Sequence, residues 1–148
     1  MDEFILSSPS FAYGAPIPRR HTCEGEDRSP ELAWAGGPET AVSLAITVDD
    51  PDAPRGTFVH WLAWGIDPAA GRLAAGAAPP HEGRNGFGKR GWRGPCPPRG
   101  HGPHRYVFTL YALDAALALP DGADRATLEA AIGPHALATT RLIGTYER

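Results

Sequence analysis

Neither a cluster of lysine and arginine nor a long apolar run occurs in this 148-residue chain. The first absence removes the basic field on which nucleic-acid binding depends, in keeping with a net charge of -3 and a pI near 6.0. The second excludes a membrane-spanning helix, and the acidic opening six residues do not read as a signal peptide. Cysteine is scarce: only Cys23 and Cys96 are present. With no export signal, both are expected as reduced thiols in a cytoplasmic protein. No internal repeat, low-complexity tract or domain boundary is visible, so residues 1–148 are read as a single domain.

Glycine and proline are abundant instead, at 18 and 16 residues, and they are spread along the chain. That distribution predicts many turns and ordered loops between short strands and disfavours a helical bundle. Residues 40–48 carry the first clear strand signal, with Val42, Leu44, Ile46 and Val48 alternating on one face. The strand ends at Asp50-Pro51-Asp52-Ala53-Pro54, where two prolines bar further pairing. A second strand is predicted over residues 57–66, with Phe58, His60, Leu62, Trp64 and Ile66 sharing a face. Residues 71–102 form a long Gly-, Pro- and Arg-rich passage whose Phe87 and Trp92 point to an ordered loop packed on the body.

A third strand is expected over residues 105–113, with both faces covered. A helix follows from an Asp124 cap to Ile132, with Gly133 as its stop, then a helical turn near 135–138 and a last strand over 140–146. Many strands with little helix predict a mainly β chain, an antiparallel sandwich with one or two short peripheral helices near the C-terminus.

Three groups of residues could carry chemistry. Asp50 and Asp52 leave a strand end on one side, held by the flanking prolines. Like charges this close resist ionising together, so one carboxyl is expected to keep its proton and serve as a donor. The plainer alternative is an acidic turn with ordinary side-chain capping. His60 is a lone histidine on an apolar face and lies one short loop beyond the aspartates. The run from Pro95 to Tyr106 is a proline-stiffened loop feeding a strand, with His104 and Tyr106 on one face. Such a loop can present donors to an anion without ordering entropy lost on binding. Within it, Cys96 reads as a small packed side chain, since no base or helix N-terminus stands beside it.

Together these pieces resemble the phosphatidylethanolamine-binding protein family, in its bacterial Raf-kinase-inhibitor-like branch. The likeness runs through Asp50-Pro51-Asp52-Ala53-Pro54, His60-Trp61, Glu82-Gly83-Arg84-Asn85-Gly86-Phe87-Gly88 and Gly94-Pro95-Cys96-Pro97-Pro98. It continues through Gly102-Pro103-His104-Arg105-Tyr106 and closes at Leu142-Ile143-Gly144-Thr145-Tyr146. The resemblance implies a sandwich of two antiparallel sheets whose small cavity binds phosphate-like anions and phospholipid headgroups. It implies that Asp50 and Asp52 match the pocket-floor aspartate and its neighbour, and that His60 and His104 match the two pocket histidines. Tyr106 matches the phenol that donates to the anion, and Cys96, Pro97 and Pro98 match the pocket's lip. Arg105 takes a structural place, paired with a carboxylate of the turn. Val59 stands where relatives often carry an aromatic or a second histidine, and Cys96 stands in place of a eukaryotic glycine. The C-terminal helix that flanks the pocket in mammalian members is not expected after Arg148, so their kinase-inhibitor role is not implied.

The resulting expectation is a non-catalytic regulatory module for a small anionic ligand: phosphate, acetate or a phospholipid headgroup. No cofactor, metal or catalytic residue is called for, and neither nucleic acid nor a membrane span is expected. The alternatives are a kinase- or protease-inhibitory interaction protein and a weak hydrolase using the Asp and His side chains. The residues leave a homodimer and a protein partner open.

Overall fold

The computed structural model describes residues 2–148; of the opening six residues, Met1 lies outside it. Eight strands and one α-helix follow in the order β1 (Ile5–Ser7), β2 (Leu32–Ala35), β3 (Ser43–Asp50), β4 (Phe58–Ile66), β5 (Arg72–Leu73), β6 (His81–Glu82), β7 (His104–Leu113), α1 (Arg125–Ile132) and β8 (Ala136–Tyr146). They form two sheets, β1-β2-β5 and β6-β4-β3-β7-β8, in which every neighbouring pair is antiparallel. The chain is a mainly β, two-sheet sandwich with one short helix. No helix among the described residues is long and apolar enough to cross a membrane.

Alternation explains the large sheet. Leu44, Ile46 and Val48 of β3 and Tyr106, Phe108 and Leu110 of β7 point inward, where they pack with Leu6 of β1 and Leu32 of β2. Val42 falls just outside the strand and is exposed. The opposite face of the sheet is covered by α1, whose Leu128 and Ile132 pack with Leu62, Trp64 and Leu113. Asp124 caps this helix by accepting the Thr127 N–H at 2.9 Å. Gly133 does not take the left-handed conformation of a helix stop; its φ is -48° and it opens the 3-10 turn Gly133–His135 that leads into β8.

Strand β4 departs from simple alternation. Val59 pairs with Asp49 and Trp61 with Val48, so His60 is an extra residue, a β-bulge. A second extra residue falls between the Ala63–Ile46 and Ile66–Leu44 pairs, beside Gly65 at φ +74°. There a Cβ would stand 2.9 Å from the His81 ring, so glycine suits both the conformation and the space. The face expected from period-two counting is therefore split. Leu62 and Trp64 turn toward α1, whereas Trp61, Ala63 and Ile66 enter the core between the sheets.

The passage 71–102 is ordered and packs on the body as expected. Trp92 lies edge-on to Trp61, with ring centroids 5.6 Å apart, and stacks on Phe108. Buried Asn85 organises the loop, donating from Nδ2 to the Gly91 carbonyl and accepting the Phe87 and Lys89 N–H groups. The cysteines overturn their expectation: Cys23 and Cys96 are joined in a disulfide, with Cα atoms 5.4 Å apart and a separation of 73 positions in sequence. The fold brings the two loops together, as the Cys23 N–H bond to the Pro95 carbonyl also shows. With both cysteines oxidised, cysteine usage no longer points to a reducing compartment.

Candidate ligand-binding site

A cavity of about 220 Å³ opens where the core between the sheets runs out, at the Asp50 end of β3. Its walls include seven of the eight residues singled out from the sequence: Asp50, His60, Cys96, Pro97, Pro98, His104 and Tyr106. Asp52 is the exception, because its carboxylate is turned to Arg105. It accepts the Arg105 N–H at 2.8 Å and the guanidinium Nε and Nη2 groups at 2.9 Å each. These bonds hold the Asp52 carboxyl down to about 2, well into its ionised form. Arg105 thus has the structural partner expected of it. The guanidinium also removes the premise that Asp50 and Asp52 must share a proton between two unmatched charges.

Asp50 organises the floor. One oxygen accepts the Asp52 N–H at 2.8 Å and tightens the turn, and the other accepts His104 Nδ1–H at 2.7 Å. The last ladder pair of β3 and β7 is Asp49 with Val107, so Asp50 comes level with Tyr106. The Tyr106 side chain is 1% exposed, and its hydroxyl lies beside the Asp50 carboxylate without closing a well-formed hydrogen bond to it or to another group. Burial, reinforced by the Asp50 charge, pushes its phenol well above the ordinary range, so it remains an O–H donor.

The two histidines differ in what they offer. His104 Nδ1 is bound to Asp50 and its Nε2 lies 2.6 Å from Nδ1 of His101, so both ring nitrogens are engaged. His104 is a positioning group. His60, at the bulge, accepts the Arg93 N–H with its carbonyl and donates ring Nδ1–H to the Arg93 carbonyl. Its ring stands edge-on to Tyr106, with centroids 5.2 Å apart, and Nε2 is left for the cavity. Burial draws the His60 pKa below 6.5, which keeps the ring neutral at pH 7 and Nε2 an acceptor.

Sequence reasoning missed the apolar part of the wall, made by Ala53, Pro54, Phe58 and Phe87. The signal was present for Phe58, which shares the His60 end of β4, and for Phe87 in the 82–88 motif. The two rings meet edge to face, with centroids 4.8 Å apart. The lip is braced from the C-terminal end, where Arg148 Nε donates to the Pro97 carbonyl at 2.7 Å and the Gly100 N–H bonds back to the Arg148 carbonyl. Among the described residues, no three of His, Cys, Asp and Glu converge as ligands of a metal ion.

The fold has close counterparts. The family model for phosphatidylethanolamine-binding protein matches residues 7–147. A UPF0098 protein of Pyrococcus abyssi is 47% identical over 155 residues, covering 99% of this chain and 87% of its own length. The crystal structure of Escherichia coli YbcL, described as a member of the mammalian PEBP family, superposes with a TM-score of 0.92 at 32% identity, covering 99% of both chains. A PEBP homologue of Chlamydia trachomatis, CT736, superposes with a TM-score of 0.93 at 38% identity, covering 98% of this chain and 97% of its own. A match from the first strand to the last, in both sequence and backbone, places this chain in the phosphatidylethanolamine-binding protein family.

Proposed function

We propose that the chain is a non-catalytic binding module whose cavity holds a small anion: phosphate, acetate or the phosphate of a lipid headgroup. The observation that carries this reading is the Tyr106 hydroxyl, buried on the cavity floor beside Asp50 with no well-formed hydrogen bond. A buried donor left unsatisfied costs about 1–3 kcal/mol, and a bound acceptor recovers that cost. The polar floor of Asp50, His60 and Tyr106 below a mouth of Phe58, Phe87, Pro97 and Pro98 suits an anion with an apolar substituent. A covalent mechanism through a thiol or an aliphatic hydroxyl has no side chain on the wall to carry it, since Cys96 is held in a disulfide and the lining includes no serine or threonine. Calorimetry with phosphate and with acetate tests the reading: binding to the native chain, weakened at least about tenfold in Tyr106→Phe, is the expected result. Undiminished binding in that variant would remove the cavity floor as the site.

A further inference from the structure

The polar atoms of the cavity are unevenly divided between donors and acceptors. The Asp50 carboxylate has given one lone pair on each oxygen to Asp52 and His104, which leaves further acceptor capacity on both. His60 Nε2 is an acceptor while the ring is neutral, because Nδ1 carries the proton given to Arg93. Against these acceptors the floor sets a single side-chain donor, the Tyr106 hydroxyl, as His104 has both nitrogens engaged. A fully ionised oxyanion brings only acceptors. It could take the Tyr106 proton, but its other oxygens would face a carboxylate and a neutral imidazole.

We infer that the pocket selects an oxyanion that still carries a proton, namely hydrogen phosphate or a singly ionised phosphomonoester, over sulfate and over phosphodiesters. This deepens the anion-binding reading and rests on it. The ligand's P–OH donates to Asp50 or His60, and a P–O oxygen accepts from Tyr106. Asp50 is then the specificity-determining residue, since it satisfies a ligand proton and repels an oxygen that lacks one. A lipid headgroup joined through a diester has no such proton and is disfavoured; a terminal phosphomonoester is favoured from either a lipid or a soluble source.

Four probes separate these cases by calorimetry at about pH 5.5, where a monoester still keeps its second proton: inorganic phosphate, phenyl phosphate, sulfate and dimethyl phosphate. Phosphate and phenyl phosphate should bind, with sulfate and dimethyl phosphate weaker by about tenfold or more, the worth of one charge-assisted hydrogen bond. Raising the pH through the second phosphate ionisation, near about 6 for a monoester, should weaken phenyl phosphate more than dimethyl phosphate, which has no proton to lose and so controls for the protein's own titrations. In Asp50→Asn the new amide supplies a donor, and the preference for phosphate over sulfate should narrow. Because Asp50 also holds the turn, the native-chain ratios decide if that variant does not fold. Sulfate or dimethyl phosphate binding within about twofold of phosphate overturns the inference while the anion site stands. Silence from all four probes overturns the anion-site reading and this inference with it.

Discussion

Removing the Cys23–Cys96 bond should destabilise the fold without dismantling the cavity. The cysteines lie 73 positions apart, and closing a loop of that size corresponds to about 4 kcal/mol in the chain-entropy treatment. That is a large share of the roughly 5–15 kcal/mol by which a domain is stable. The native geometry has other supports: the Cys23 N–H on the Pro95 carbonyl, the Gly94 N–H on Asp27 at 2.8 Å and Trp92 Nε1 on the His21 carbonyl. The loss is therefore assigned mostly to a less constrained unfolded chain. Urea unfolding followed by fluorescence of the four tryptophans is the assay, on the native chain and on the Cys23→Ala/Cys96→Ala double variant, each with and without reductant. The reduced native chain and the variant should coincide, both about 4 kcal/mol below the oxidised form and melting on the order of 10 °C lower. A reductant effect below about 1 kcal/mol, or one that persists in the variant, would refute the reasoning.

Four shorter predictions follow from the site and the helix cap. Tyr106→Phe removes a buried hydroxyl with no well-formed bond, so thermal stability should be unchanged or slightly higher even as anion affinity falls; a clear loss of stability would mean that the contact with Asp50 is a full hydrogen bond. Acetate stays ionised above pH 6, so its own titration does not enter, and His60 is the cavity histidine whose Nε2 is not engaged by another side chain. Burial holds the empty pocket's imidazolium disfavoured and a bound anion favours it, so binding takes up a proton and acetate affinity should rise as pH falls below 6.5. Calorimetry giving a flat or opposite trend would contradict that charge logic. Asp52→Asn should cost about 1 kcal/mol at pH 7, an amount discounted for the solvent around Arg105. Because the Asp52 pKa is depressed, that stability is present above about 4 and lost as pH falls toward about 2, so wild type and variant should converge in acid unfolding. Asp124→Ala should cost about 1 kcal/mol through the lost cap on α1, measured by urea unfolding.

Long, alternating segments announced themselves. Strands were legible over residues 40–48 and 105–113, against 43–50 and 104–113 in the fold, because each buries a full row of side chains against the other sheet. The smaller sheet was not, since β1, β2 and β5 span only two to four residues and carry too short a pattern to separate from loop. In β4 the strand was legible but its faces were not, because a bulge at His60 changes the phase without changing the composition. That same bulge sends His60 toward Tyr106, so the departure from alternation and the site are one feature. The polar floor could be named from Asp50, His60, His104 and Tyr106, whose chemistry is conspicuous. Its apolar wall at Ala53, Pro54, Phe58 and Phe87 could not, because ordinary side chains become a wall only through placement. Pairing of Cys23 with Cys96 likewise depends on how loops 73 residues apart are folded together.

The bonds from Arg148 to Pro97 and Gly100 have a practical reach. Any polypeptide continuing past Arg148, whether native or an added purification handle, would leave from the rim of the cavity. A polyhistidine handle there would place basic, anion-attracting side chains beside the pocket under study. Ligand measurements on this chain therefore call for handles at the other end, next to β1 in the opposite sheet.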